Sequence, residues 1–450
     1  MTDRIHDRLL GDARVDACFA GRAQLQAMLD VEVALAEAEA AVGVVPASCV
    51  QPIRAAGRAE LYDLAAIAEA VAHGGIPAVP VVRHLTAQVA SADPDAARYV
   101  HWGATSQDIM DTGLVLQLRE AVPVVCDHLQ RASCAAADLA RRYADTPMAG
   151  RTWLQQATPV TFGLKAAGWL DALQRVRVRL LSAFEDARVL QFGGATGTLA
   201  SLGSTGPAVA DALAARLGLR TPDTPWHAHR DRLADLACAL GVAVGTVGKV
   251  ATDLGLMAQT EVGEAWERPA EGRGGSSTMP HKRNPVGASV ALAAAARAPA
   301  LVATVLGAMT HEHERGLGGW QAEWDAVPDL VRTAAGGAKG LGDALDGLVV
   351  DPDRMRTNAE MTGGLVLAEA AAMALAPALG KAEAHSCVGA ACRRARDEAR
   401  PLADVLASDP IVTAHLDRAA ITRCLTPEHY LGSARVFVQR VLARFDEQGQ

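Results

Sequence analysis

Between Glu267 and Pro285 the chain reads ERPAEGRGGSSTMPHKRNP, and reactive side chains gather there. Ser276 and Ser277 offer hydroxyls that can carry a proton once the negative charge left on oxygen is held. Arg273, His281, Lys282 and Arg283 place positive charge within a few residues of them, as an anionic substrate needs. Pro269, Gly272, Gly274, Gly275, Pro280 and Pro285 forbid a continuing helix, so these groups ride on a loop. The same composition also makes an ordinary solvated connection between two helices. Metal chemistry is not expected: the pairs His227/His229 and His311/His313 have alternate spacing, which on a helix points the rings about 200° apart, and no carboxylate cluster completes a site. No glycine pattern for a dinucleotide or a phosphate is present, so no cofactor is expected. Cysteines at 18, 49, 126, 134, 238, 387, 392 and 424 form no Cys-x-x-Cys pair and read as reduced packing residues.

The elements that must position this loop are long helices. From Leu114 the apolar series Leu118, Val122, Val125, Leu129, Ala132, Ala136, Leu139, Tyr143 steps by three or four residues, which predicts one amphipathic helix about 45 Å long with a kink at Pro123. A second series runs Leu233, Leu236, Leu240, Val244, Val247, Ala251, Leu254, Ala258 with no proline from Trp226 to Glu267. Its glycines, Gly241, Gly245, Gly248 and Gly255, let neighbouring helices approach closely. A third follows Thr161 through Leu164, Leu170, Leu173, Val176, Leu180 and Phe184. Nothing reads as strand, turn and strand. Helices this long need partners along their whole length, so an oligomeric helix bundle is expected. The coarse division is 1–100, 101–350 and 351–450, a mixed helical start, a long-helix centre and a shorter helical end.

Composition bounds the partners. The 450 residues are 50% hydrophobic and 21% charged, with a formal charge of −8. That balance gives no bulk attraction to nucleic acid or to anionic lipid, and an anionic partner must meet a local cationic pocket. The amino terminus lacks a continuous apolar signal-peptide core, and the apolar run after Val286 is broken by Arg297 and Pro299, so no membrane span is expected and the location expected is cytoplasmic.

The string Gly275 to Pro285, GSSTMPHKRNP, resembles the signature loop of the fumarase/aspartase superfamily, whose members form or break a bond beta to a carboxylate. The resemblance implies an all-α, three-domain subunit, a homotetramer with a central bundle of long helices, and active sites assembled from three subunits. His101 to Asp108, HWGATSQD, is similar to the superfamily's first conserved region, in which Thr105, Ser106 and Gln107 would hold a substrate carboxylate. Thr-Ser before a helix is also a common cap. Gly150 to Pro159, GRTWLQQATP, is similar to the second, with Thr152 and Gln155 at substrate-contacting positions. Two departures follow. Trp153 stands where most of these lyases have His, and Ser289 stands where the Glu that pairs with that His is found. Chemistry that needs a separate acid for a leaving group is therefore not expected, whereas an addition whose nucleophile belongs to the substrate is.

The segment His311 to Asp329 resembles adenylosuccinate lyase in framework, but Trp320 or Gln321 and Trp324 replace the serine and arginine that would hold a nucleotide phosphate. With Tyr99 to Gly113, Leu365 to Glu369 and Pro427 to Gly432, the chain resembles over its whole length the superfamily's bacterial branch that lactonises a carboxymuconate, a small triacid. That resemblance implies Ser276 as the proton-transfer residue, its alkoxide stabilised by backbone amides of the Gly274-Gly275 turn and by Lys282, with Lys282 and Asn284 on the reacting carboxylate. Arg315 and His101 would hold the remaining carboxylates, or form structural ion pairs instead, with Arg151 and Arg283 as further cations; Ser277, Met279, His281 and Trp153 complete the substrate-binding set. The alternatives are another lyase of this fold, adenylosuccinate lyase first, and a catalytically silent helical scaffold.

Overall fold

A computed structural model of the chain describes residues 5–269, 272–276 and 278–448. Among them α-helix dominates, with two short antiparallel ladders: Pro147–Thr152 with Gln155–Thr161, and Ala265–Glu267 with Leu348–Val350. The long helices are Ser106–Arg142, Phe162–Ala187, Asp231–Met257, Val286–Ala308 and Gly319–Asp346. All three expected helices form, and the first runs on through Pro123. The first ladder corrects the expectation of no hairpin. Its strands are short and irregular, with a bulge between Ala149 and Gly150, so no sustained alternation marks them in the sequence. Asp231–Met257 and Val286–Ala308 are long and apolar enough to cross a membrane by length and composition alone; Arg297 and Pro299, which interrupt the apolar run after Val286, lie inside one continuous helix.

By internal packing the chain divides into two compact units, each drawn from three stretches: one from residues up to Leu129, Val176–Gly248 and Val290–Lys339, the other from Gln130–Arg175, Lys249–Ser289 and Gly340 onward. In the first unit the predicted stripe is inside, with Leu233, Leu236, Leu240, Val244 and Val247 all buried. Glycine sets the helix spacing at two of the four expected positions. A Cβ at Gly248 would lie 2.5 Å from Ala295 Cβ, and one at Gly241 would lie 2.7 Å from a Val302 methyl. In the second unit Tyr143, Phe162 and Trp169 pack edge to face, with centroids 5.5 and 5.8 Å apart.

The first unit buries charge as well as hydrocarbon. Arg230, fully enclosed, donates to Asp111 at 2.6 and 3.1 Å and to Glu323 at 3.0 and 3.1 Å, stacks 4.8 Å over the Trp226 ring, and shares Asp111 with Trp320 Nε1 at 3.1 Å. Burial alone would lower the Arg230 pKa, but the two carboxylates carry it above its ordinary value. Replacing the cation with a neutral chain of similar length, Arg230→Met, strands two buried anions. Loss of about 3–5 kcal/mol in stability is expected, or failure to fold, read by denaturant titration.

Glu39, wholly buried, has no hydrogen-bond partner for either carboxyl oxygen among the described residues. Burial, and then the neighbouring Glu32, push its pKa from 4.5 up to about 9. The folded state therefore holds a proton that the unfolded chain releases near 4.5, and stability falls as pH rises from there toward 9. Glu39→Gln should flatten that slope, by up to about 1.4 kcal/mol per pH unit, in melts recorded across the window.

Candidate active site

In the first unit the site residues hang from the start of the Ser106–Arg142 helix. Asp108 makes one half of a capping box: its carboxylate accepts from the Thr105 N–H at 3.0 Å, while its own N–H donates to the Thr105 backbone carbonyl. The same carboxylate accepts from the N–H groups of Gly193 and Gly194, each at 2.9 Å, and pairs with His227 Nε2 at 2.7 Å. One side chain thus ties the helix start to the 190–194 and 227 segments. Gln107 is fully buried; its amide donates to Asp111 and to the His227 carbonyl, and its oxygen accepts from Arg315 Nε at 3.0 Å. Its polar atoms are thereby engaged inside the protein, and it supports Arg315. A second Arg315 nitrogen donates to the Ala195 carbonyl at 3.1 Å. Thr105 and Ser106 are half-buried at the helix start. His101 has φ +60°, and its Nδ1 meets the buried Glu32 carboxylate at 2.6 Å.

The second unit carries the other candidates. The hairpin turns at Trp153 and Leu154, both at positive φ (53° and 62°), with Thr152 paired to Gln155 across the turn. Trp153 is 98% exposed, and Thr152 and Gln155 are exposed beside it. Arg151 is not a free cation: it forks onto the fully buried Glu264 at 2.6 and 2.9 Å, and Asn358 donates to the same carboxylate at 2.9 Å. Arg283 lies 5.9 Å over the Trp266 ring.

Ser276 is half-buried, and its Oγ accepts from the N–H groups of Thr278 at 3.3 Å and Met279 at 3.0 Å. Both N–H groups found on this oxygen lie after the serine, and the Gly274-Gly275 amides are not among the donors to it in the described residues. Gly274, at φ +73°, accepts the Asn284 N–H at 2.9 Å through its carbonyl. Lys282, His281 and Met279 are exposed, and Asn284 is half-buried. Ser277 lies outside the described residues. Glu267 receives the N–H groups of Gly287 and Ala288 at 2.9 and 2.8 Å, capping the helix that follows the loop. Among the described residues no hydrogen bond joins the hairpin turn to the serine loop, and no group of three His, Cys, Asp or Glu could hold a metal ion.

Sequence reasoning missed Glu32, Asp108 and Glu264. For Asp108 a signal was present in the Thr-x-x-Asp spacing of a capping box; for Glu32 it was a carboxylate on the apolar stripe of the Gly21–Val42 helix. Trp324 packs edge-on to Trp320 at 5.1 Å.

The family model for lyases matches residues 12–299, and that for the adenylosuccinate lyase C-terminus matches 364–441. The chain belongs to this lyase family, with the all-helical fold of the fumarase/aspartase superfamily. Its full-length relatives include a 3-carboxy-cis,cis-muconate cycloisomerase of Pseudomonas aeruginosa, 53% identical over 99% of this chain and 97% of the relative. Another of that name, from Bradyrhizobium diazoefficiens, is 49% identical over 96% of each chain. The crystal structure of 3-carboxy-cis,cis-muconate lactonizing enzyme from Pseudomonas putida superposes with TM-score 0.95 at 48% identity, covering all of both chains.

Gly274→Ala is expected to move the loop, since a Cβ there would sit 2.7 Å from the Asn284 carbonyl at a φ of +73°. Activity should fall at least about tenfold, the 1.4 kcal/mol that such backbone strain can supply, with unchanged helix content by circular dichroism.

Proposed function

We propose that the protein is an intramolecular lyase that converts 3-carboxy-cis,cis-muconate to 4-carboxymuconolactone in protocatechuate breakdown, without a cofactor, in the cytoplasm. The observation that carries this reading is full-length identity of 53% to a relative of that name. A substrate carboxylate oxygen adds to one carbon of a double bond, and the π electrons move onto the carboxylate of the neighbouring carbon as an enediolate. That carbon then takes a proton from Ser276. The alkoxide left behind is held by the two amides that already point at Oγ until it takes a proton from solvent, which restores the hydroxyl and balances the one proton gained by the product. Lys282 and Asn284 hold the reacting carboxylate. Arg315, braced by Gln107, and His101, backed by Glu32, hold the others. Ser106, Thr105, Thr152, Trp153, Gln155, Ser277, Met279 and His281 line the substrate, and Arg151 orders the hairpin that carries three of them.

The assembly proposed is a homotetramer with each site shared among subunits, built on the 1–100, 101–350 and 351–450 division. Exposed Val242, Leu292 and Leu306 on the two most apolar long helices support it, as an apolar face without cover inside its own chain. The nucleotide-lyase alternative loses ground on Trp324, which fills with an indole the position where that branch places a phosphate-binding residue.

The test generates 3-carboxy-cis,cis-muconate in situ from protocatechuate with a dioxygenase and follows loss of diene absorbance, beside an adenylosuccinate assay. Rapid loss with inert nucleotide is expected, and Ser276→Ala should cut kcat by about 10²–10⁴-fold. An intact diene would overturn the activity, and a fully active Ser276→Ala protein would overturn the role of the serine.

A further inference from the structure

Glu32 and Glu39 are buried on the Gly21–Val42 helix, seven residues apart and so on one face. Two interior carboxyls on one stripe are costly, and each has oxygens without a hydrogen-bond partner: both in Glu39, and Oε2 in Glu32. Among the described residues the side-chain bond found for Glu32 is to His101, at 2.6 Å from Oε1 to Nδ1, with the carboxylate side chain 1% and the imidazole 20% exposed. His101 adopts φ +60°, a left-handed conformation that a non-glycine residue takes at a cost, to bring its ring there.

We propose that Glu32 is a positioning residue for the reaction: from inside the protein it fixes the His101 ring through Nδ1 and keeps the imidazole a cation that grips a substrate carboxylate. The inference rests on the placement of His101 at the substrate. Glu39 stays protonated, its pKa raised by burial and then by Glu32, and the His101 ring is the charged partner found for Glu32 among the described residues. The charged groups facing the ring are Glu32 from the helix behind it and Asp108 from the helix start. Asp108 is itself engaged by His227 and four backbone or amide donors, and Arg315 stands beyond Gln107. Burial pulls the His101 pKa down, but Glu32, by charge and hydrogen bond, and Asp108 carry it above the usual imidazole range.

The experiment titrates the 13C-labelled histidine rings of the full protein by NMR, with His101 assigned from a His101→Asn spectrum, in wild type, Glu32→Gln and Glu32→Asp. The same proteins are assayed from pH 6 to 9 for kcat and KM with 3-carboxy-cis,cis-muconate. Binding of tricarballylate, a saturated triacid, is measured by calorimetry. In Glu32→Gln the His101 midpoint should fall by at least one unit. KM and the tricarballylate Kd should rise at least tenfold at pH 8 and less at pH 6, with kcat within about threefold of wild type. Glu32→Asp, which keeps the charge, should recover part of each. An unchanged His101 midpoint overturns the proposal, even if activity drops, because a merely structural role leaves the titration alone. A lowered midpoint with unchanged KM and Kd overturns it too. If wild type leaves the carboxymuconate untouched, the proposed activity fails, while the titration and the triacid binding still judge the pair.

Discussion

The first unit depends on how three buried charges are satisfied at once. Arg230 lies between Asp111 and Glu323 with no exposure to solvent, so water cannot screen the cluster. Taking each ion from water costs several kcal/mol, and attraction repays it only when geometry is close and every remaining donor has a use. Trp320 Nε1 and the Trp226 face supply the rest. The arrangement is demanding, and its demands set the site. Asp111 is one turn beyond Asp108 on the same helix, and Gln107 precedes both. Fixing Asp111 therefore fixes the rotation of the helix start, and with it the Asp108 cap and the Gln107 amide that braces Arg315.

The second unit uses buried carboxylates in the same way but at the ends of its functional segments. Glu264 holds Arg151 at the base of the hairpin, and Glu267 caps the helix that leaves the serine loop. Between its anchors the described part of the loop is held by Asn284 N–H to the Gly274 carbonyl, by Lys282 N–H to the Met279 carbonyl, and by Arg273 on Asp343. Lys282 and His281 are exposed on this loop, beside the half-buried Ser276.

The long helices were legible because their signal is summed over many residues; an apolar step of three or four sustained from Leu114 to Tyr143 has no strand equivalent. The serine loop was legible because glycine, proline and charge are concentrated in one stretch. The hairpin at Pro147–Thr161 was not, since its short strands carry a bulge at Gly150 and their turn residues, Trp153 and Leu154, are not turn formers. The N–H partners of the Ser276 oxygen, at Thr278 and Met279, were not legible, since the loop's composition does not distinguish one stretch of its amides from another. The partners of the predicted cations were beyond reach altogether. Glu32 lies 69 residues from His101, and Glu264 lies 113 from Arg151, and no local spacing encodes such pairs.

What these pairs have in common bears on the chemistry. The superfamily's histidine and glutamate are missing, and the residues in their places do nothing like acid catalysis: Trp153 stands exposed on a turn, and the Ser289 hydroxyl bonds back to the Val286 carbonyl of its own helix. An enzyme that expels water or an amine would need that acid. A lactonisation does not, because the nucleophile and the electrophile are parts of one molecule and one proton moves. What it needs is neutralisation of three carboxylates and support for an enediolate. In the first unit His101 meets the buried Glu32 and Arg315 the buried Gln107, and in the second a serine oxygen accepts from two N–H groups. The absence of the acid pair fits an intramolecular addition, whose nucleophile stays part of the substrate, and not an elimination with a separate leaving group.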